Sequence, residues 1–171
     1  RSEGVAALVA ARPEAMTHAV EDADALQILI KRADVLAVGP GLGRGEWGRT
    51  LFEAAVGSGK PIILDADGLG LLAAHPRPLP QAILTPHPGE AARLLGTSNE
   101  EVQADRFATV QALVEKFDCV VVLKGAGTLV AAPGEITAVI GAGNPGMATG
   151  GMGDVLTGVI AALRAQRLGL F

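Results

Sequence analysis

Residues 140–163 read Ile140-Gly-Ala-Gly-Asn-Pro-Gly-Met-Ala-Thr-Gly-Gly-Met-Gly-Asp154, then Val155-Leu-Thr-Gly-Val-Ile-Ala-Ala-Leu163. Six glycines and one proline fall between Gly141 and Gly153. Glycine loses the most backbone entropy on ordering and proline has no N–H, so this run is neither regular helix nor central strand. Beyond it, Val155, Leu156, Val159, Ile160 and Leu163 recur at helical spacing, with the lone acid Asp154 at their head. A glycine-rich turn feeding a helix start offers unbonded N–H groups at the positive end of the helix dipole. That arrangement binds anions, most often phosphate. Asn144, Gly146, Thr149, Gly150, Gly151 and Gly153 form the candidate anion loop. The plainer alternative is a turn that caps a buried helix, but a cap needs a single glycine.

Two familiar phosphate motifs are excluded. No G-x-x-x-x-G-K-[ST] occurs, so there is no P-loop. Gly141, Gly143 and Gly146 satisfy G-x-G-x-x-G after an apparent strand, Ile136–Ile140. A dinucleotide fingerprint, however, opens its helix within the motif and carries an acid about 20 residues further on. Here more glycines follow, and no Asp or Glu occurs after Asp154.

Working outward, short apolar runs alternate with helical patterns. Strands are predicted over Asp34–Val38, Pro61–Leu64, Ala82–Leu84 and Cys119–Leu123, with a β-rich pair at Leu129–Ala131 and Ile136–Ile140. Helices are predicted over Gly4–Ala11, Asp22–Arg32, Glu46–Val56, Leu69–Ala74, Glu90–Leu95 and Asn99–Phe117. Strands without polar alternation, separated by helices, predict an α/β domain whose mostly parallel sheet is covered on both faces. No repeat or linker divides the chain, so residues 1–171 are expected to form a single domain.

The polar clusters fall just past the C-terminal ends of these strands. They are Gly39-Pro-Gly41-Leu-Gly43, Asp65-Ala-Asp67, Thr85-Pro-His87-Pro-Gly-Glu90 and Lys124-Gly125-Ala126-Gly127-Thr128. In an open α/β sheet that edge is where ligands bind. Asp154 could simply cap its helix, but beside an anion turn it is placed to accept a proton from a hydroxyl attacking a phosphoryl group. Lys124–Thr128 offers a cation, a flexible backbone and a hydroxyl, suited to nucleotide phosphates or ribose; the alternative is an ordinary turn with a solvated lysine. His87, between two prolines, sits on a stiff loop that holds a side chain for ligand contact, unless it is a spectator. Asp67 is the candidate Mg²⁺ ligand, through water, and Asp65 is expected to be satisfied by nearby N–H groups. The EF-hand resemblance of Asp65-Ala-Asp-Gly fails because Pro76 occupies the position of the bidentate Glu.

Bulk composition narrows the function classes. The 171 residues are 49% hydrophobic with net charge −4 and no tyrosine, which argues against disorder and against a nucleic-acid surface. No apolar run reaches a membrane span, and no basic-then-apolar start suggests a signal peptide. Cys119, the sole cysteine, is expected to be a buried core thiol. A single thiol permits no intrachain disulfide, and the cytoplasm is the expected compartment.

Taken together, five segments resemble the ADP/ATP-dependent NAD(P)H-hydrate dehydratase family. They are Ala-Val-Gly-Pro-Gly-Leu-Gly43, Leu-Asp-Ala-Asp-Gly-Leu69, Leu-Thr-Pro-His-Pro-Gly-Glu-Ala-Ala-Arg-Leu-Leu-Gly96, Val-Leu-Lys-Gly-Ala-Gly-Thr128 and Gly-Asn-Pro-Gly-Met-Ala-Thr-Gly-Gly-Met-Gly-Asp-Val-Leu-Thr-Gly158. The resemblance implies a ribokinase-like three-layer α/β/α fold and repair of the 6-hydroxy hydrates of NADH and NADPH. The chemistry it implies is phosphoryl transfer from ADP or ATP to the C6 hydroxyl, followed by loss of phosphate. On this resemblance Asp154 is the general base and contacts the hydrate, and Gly153 with its loop stabilises the phosphoryl group. Lys124, Gly125, Ala126, Gly127 and Thr128 would bind the nucleotide, and Gly41, Gly43 and His87 the hydrate. Mg²⁺ would accompany the nucleotide. A homo-oligomer, a tetramer by the same resemblance, and fusion to an epimerase domain are also implied. Against that family the chain is expected to be short at both ends, lacking strands before Arg1 and helices after Phe171. The alternatives are a small-molecule hydroxyl kinase of the same fold, acting on a thiazole or hydroxymethylpyrimidine alcohol, and a non-catalytic nucleotide-binding fragment.

Overall fold

The computed structural model describes residues 2–169. Six strands form one sheet in chain order: β1 (Leu36–Val38), β2 (Ile62–Leu64), β3 (Ala82–Leu84), β4 (Val120–Leu123), β5 (Thr128–Ala131) and β6 (Ala138–Ile140). The pairs from β1 to β4 are parallel, while β4–β5 and β5–β6 are antiparallel. Parallel neighbours need a crossover, and the helices supply it: α3 (Glu46–Val56), α4 (Ala66–Ala74), then α5 (Pro88–Leu95), α6 (Asn99–Ala104) and α7 (Arg106–Phe117). Before the sheet come α1 (Ser2–Ala11) and α2 (Ala23–Ile30), the latter capped by the Asp22 carboxylate. After it a short 3₁₀ turn, Pro145–Met147, leads to α8 (Met152–Ala165).

Successive strand residues point to opposite faces, and the two cores follow that alternation. On one face Ile62, Leu64, Ala82, Leu84, Val121 and Leu123 pack with Phe52, Leu69, Leu94, Leu113 and Phe117 of the crossover helices. On the other, Ile63, Ile83, Val120 and Val122 meet Leu156 and Ile160 of α8. This is the expected mixed, mostly parallel α/β sheet with helices on both faces. The second face is the thinner one: Val155, Val159 and Leu163 of α8 remain exposed at 60%, 50% and 44%. Cys119 is buried as expected, and burial, helped by the charge of Asp118, pushes its thiol up to about 12.

Three helix predictions need correction. The predicted helix Asn99–Phe117 is two helices, broken at Asp105, whose extended backbone ends α6 while its carboxylate accepts from Ala108 N to cap α7. α4 begins at Ala66, not Leu69, so Asp67 lies in a helical first turn. α5 begins at Pro88, not Glu90, because proline at the first helical position loses no intrahelical hydrogen bond.

Candidate functional site

Because β1 to β4 are parallel, the clusters after Val38, Leu64, Leu84 and Leu123 share one edge of the sheet. β5 starts at that edge and β6 ends there, delivering the glycine loop. The turn after β1 approaches the Asp65 backbone so closely that a Cβ at Gly39 would overlap the Asp65 carbonyl oxygen. Gly39 also has φ +138, a conformation side chains rarely adopt, so this contact requires glycine on both counts.

Asp65 is the centre of the assembly. It is buried, 2% exposed, and its Oδ1 accepts from Lys124 Nζ at 2.8 Å while Oδ2 accepts from Thr157 Oγ1 at 3.1 Å. Burial pushes its pKa upward, but the hydrogen bond and charge of Lys124, with the Thr85 and Thr157 hydroxyls, outweigh it. The carboxyl therefore lies below its ordinary value. Lys124 Nζ also lies 3.9 Å from Glu90 Oε2, and Lys124 N donates to Pro86 O at 2.8 Å. These contacts tie β2, the loop after β3, β4 and α8 to one another.

Gly153 rests on this pair. A Cβ there would stand 3.3 Å from both Asp65 Oδ2 and Lys124 Nζ, so a side chain would press on the pair and glycine brings the backbone close to the ammonium. Asp154, the next residue, lies in the first turn of α8 and is exposed. Gly151 enters that helix with φ +85. The rest of the anion loop is exposed and tied mainly to itself: Asn144 Oδ1 accepts from Gly146 N at 2.9 Å, and Met152 N donates to Thr149 O at 3.5 Å. Gly150 is likewise exposed. The structure thus brings Gly153 to Lys124, with Asp154 next along α8, and leaves Asn144, Gly146 and Thr149 on an outer loop.

Two expected ligand contacts have structural occupations. His87 caps α5: its Nδ1 accepts from Gly89 N and Glu90 N at 3.0 and 3.3 Å, while Glu90 Oε2 accepts from His87 N at 2.8 Å. The ring stays 53% exposed, so the cap leaves it open to a ligand. Asp67 braces the Gly41–Gly43 turn, its Oδ2 accepting from Gly43 N at 2.9 Å and its Oδ1 from Arg44 Nε at 3.1 Å. Among the described residues no group of three or more His, Cys, Asp or Glu could hold a metal ion. Asp65, expected to be satisfied by N–H groups, instead holds Lys124 and Thr157. The residues missed from sequence are Asp65 as hub, Thr157, Glu90 and Arg106. Asp65 and Glu90 lay in the strand-end clusters without a role assigned as hub, Thr157 showed as the one polar side chain between Val155 and Leu163, and Arg106 carried no signal. No helix among the described residues is long and apolar enough to cross a membrane.

A buried aspartate paired with a part-buried lysine beneath a glycine backbone, with an exposed carboxylate on the next residue, at the C-terminal edge of a mostly parallel sheet, fits a ribokinase-like α/β protein. The ribokinase-like protein of Enterococcus faecalis superposes with TM-score 0.83 at 32% identity, covering 94% of this chain and 57% of that one. A protein-family model described as NAD(P)H-hydrate dehydratase matches residues 1–170, and the chain belongs to that family. It is 51% identical over 170 residues to the bifunctional NAD(P)H-hydrate repair enzyme of Coxiella burnetii, covering 99% of this chain and 35% of that protein. It is 45% identical over 182 residues to the ADP-dependent (S)-NAD(P)H-hydrate dehydratase of Neisseria meningitidis, covering 96% and 57%. The ADP/ATP-dependent dehydratase of Bacillus subtilis, co-crystallised with ATP/Mg²⁺, superposes with TM-score 0.68 at 34% identity over 77% of this chain and 47% of that one. The chain therefore spans about a third of the length of its bifunctional relatives.

Proposed function

We propose that this chain carries the ADP- or ATP-dependent dehydration of the S-epimer of NAD(P)H hydrate, a hydro-lyase reaction that restores NAD(P)H. The observation that carries the proposal is the stacking of the Gly153 backbone on the Lys124–Asp65 pair, with Asp154 exposed one residue later. A cation beside the start of α8, with a candidate base one residue further on, supports this reading, since transfer of a phosphoryl group to an alcohol uses such groups.

In this reading Lys124, Gly125, Ala126, Gly127 and Thr128 hold the nucleotide, and the amides of Gly150, Gly151 and Gly153 face the migrating phosphoryl group. The outer residues Asn144, Gly146 and Thr149 close over it. Gly41, Gly43 and His87 receive the hydrate. Asp154 takes the proton of the C6 hydroxyl as its oxygen attacks the terminal phosphorus and the bond to the leaving nucleotide breaks. Phosphate then departs from C6 with its bonding pair while C5 loses a proton, and the ring double bond re-forms. ADP yields AMP and phosphate, so atoms and charge balance without a redox partner. Mg²⁺ fits this site as a nucleotide chelate held by phosphates and water, since both Asp65 and Asp67 are already engaged; when bound it neutralises phosphate charge. Asp67, engaged with Gly43 N and Arg44, would contact such an ion through water. We further take residues 1–171 as part of a single dehydratase domain acting in the cytoplasm, in a homo-oligomer and beside an epimerase domain; the relatives' name, bifunctional NAD(P)H-hydrate repair enzyme, supports a second activity beside this one.

The test is to incubate the protein with NADH hydrate, ADP and Mg²⁺ and follow the nicotinamide absorbance. Recovery of NADH is expected, and Asp154→Asn should lower kcat about a thousandfold, as loss of a general base does. Accumulation of a stable phosphorylated alcohol without NADH would assign a hydroxyl kinase instead.

A further inference from the structure

Arg106 opens α7, distant in sequence from every candidate site residue, yet its guanidinium is committed to one loop. Nη1 donates to Ala126 O at 2.7 Å and to Gly127 O at 3.0 Å, and Nη2 donates to Leu123 O at 3.1 Å and to Lys124 O at 3.5 Å. The remaining carbonyl of the loop, Gly125 O, accepts from Thr128 Oγ1 at 3.1 Å. Gly125 is shaped for this: its Cβ would stand 2.9 Å from Nη2, so any side chain there would press on the guanidinium.

A consequence follows from the planar trans peptide, in which N–H and C=O point opposite ways. The peptides whose oxygens face Arg106 must aim their hydrogens away from it. Lys124 O and Ala126 O belong to the peptides that carry the N–H groups of Gly125 and Gly127. Those two amides, with that of Ala126, have no hydrogen-bond partner among the described residues. A cation behind a loop thus turns the positive ends of its peptide dipoles toward the front, where a phosphate oxygen would be received.

We propose that Arg106 is a positioning residue for the nucleotide: it holds the Leu123, Lys124, Ala126 and Gly127 carbonyls so that the Gly125 and Gly127 amides are preset for nucleotide oxygens. The proposal rests on the nucleotide role given to this loop above. Nothing links Arg106 to the hydrate, so its loss should fall on one substrate only.

The test is Arg106→Met and Arg106→Lys in the full chain, with ADP affinity by calorimetry and both KM values by the NADH assay. Arg106→Met should raise the ADP Kd and KM about tenfold, with kcat and the hydrate KM little changed. Added methylguanidinium should restore affinity in part, and Arg106→Lys, able to reach fewer carbonyls, should fall between. Unchanged ADP affinity in a folded variant, or equal losses for both substrates, would overturn the proposal. Should the Met variant not fold, amide NMR of the unaltered protein decides: Gly125 and Gly127 must shift and gain exchange protection on adding ADP, and unmoved signals reject it. An unaltered protein that does not bind ADP would instead refute the nucleotide role itself.

Discussion

Asp65 carries an electrostatic load that its neighbours balance. A carboxylate at 2% exposure would be costly alone; Lys124 at 2.8 Å and two hydroxyls make it tolerable. Removing its charge leaves Lys124 facing a neutral amide. Because that lysine is still 21% exposed, water screens part of the loss, and Asp65→Asn should cost about 2–3 kcal/mol. The pH dependence has a definite sign. The folded pKa lies below the ordinary 3.8, so the ionised form stabilises the fold; that contribution is complete above 3.8, declines below it, and is gone once pH has fallen through the folded value. Urea titrations of both proteins at descending pH should therefore show the gap between them narrowing below 3.8. A gap that widens in acid would contradict this account.

At the scale of elements, the loop after β3 is also the start of α5. His87 and Glu90 satisfy each other's backbone N–H groups in a capping box, with Pro88 at the first helical position. His87→Ala should cost about 1 kcal/mol in thermal or chemical denaturation, while His87→Asn, which can still cap, should cost far less. If the exposed ring also meets the hydrate, His87→Asn keeps stability yet raises the hydrate KM, and an unchanged KM would confine His87 to capping. The break between α6 and α7 matters in the same way. One continuous helix through Asp105 would carry Arg106 off in another direction, whereas the fresh start at Asp105 aims it at the loop after β4. Helical periodicity spans that break, because Val102, Val110, Leu113 and Val114 remain apolar across it. Only the cap at Asp105, a common enough residue in helices, marked the join.

For the whole molecule, the candidate site residues gather where the parallel strands end, and nucleotide binding should act on the entire fold. A ligand that binds only the folded state at about a hundred times its Kd adds roughly 2.7 kcal/mol, raising Tm by roughly 5–10 °C for a chain of this size. Differential scanning fluorimetry with ADP and Mg²⁺ should show this rise, and chelating the Mg²⁺ should reduce it. No shift with either nucleotide would count against a nucleotide site at this edge. The alternation of apolar strand and amphipathic helix, the β-rich pair after Leu123, and the polar clusters after Val38, Leu64, Leu84 and Leu123 were all present in the order of residues, since each depends on neighbours along the chain; the antiparallel direction of that pair was not. Chain order could not say which of Asp65 and Asp67 becomes the hub, that His87 caps α5, or that an arginine stands behind the loop after β4. Those were decided in three dimensions, because charge, burial and hydrogen bonding depend on partners brought close by folding: Lys124 lies 59 positions from Asp65, and Thr157 lies 92.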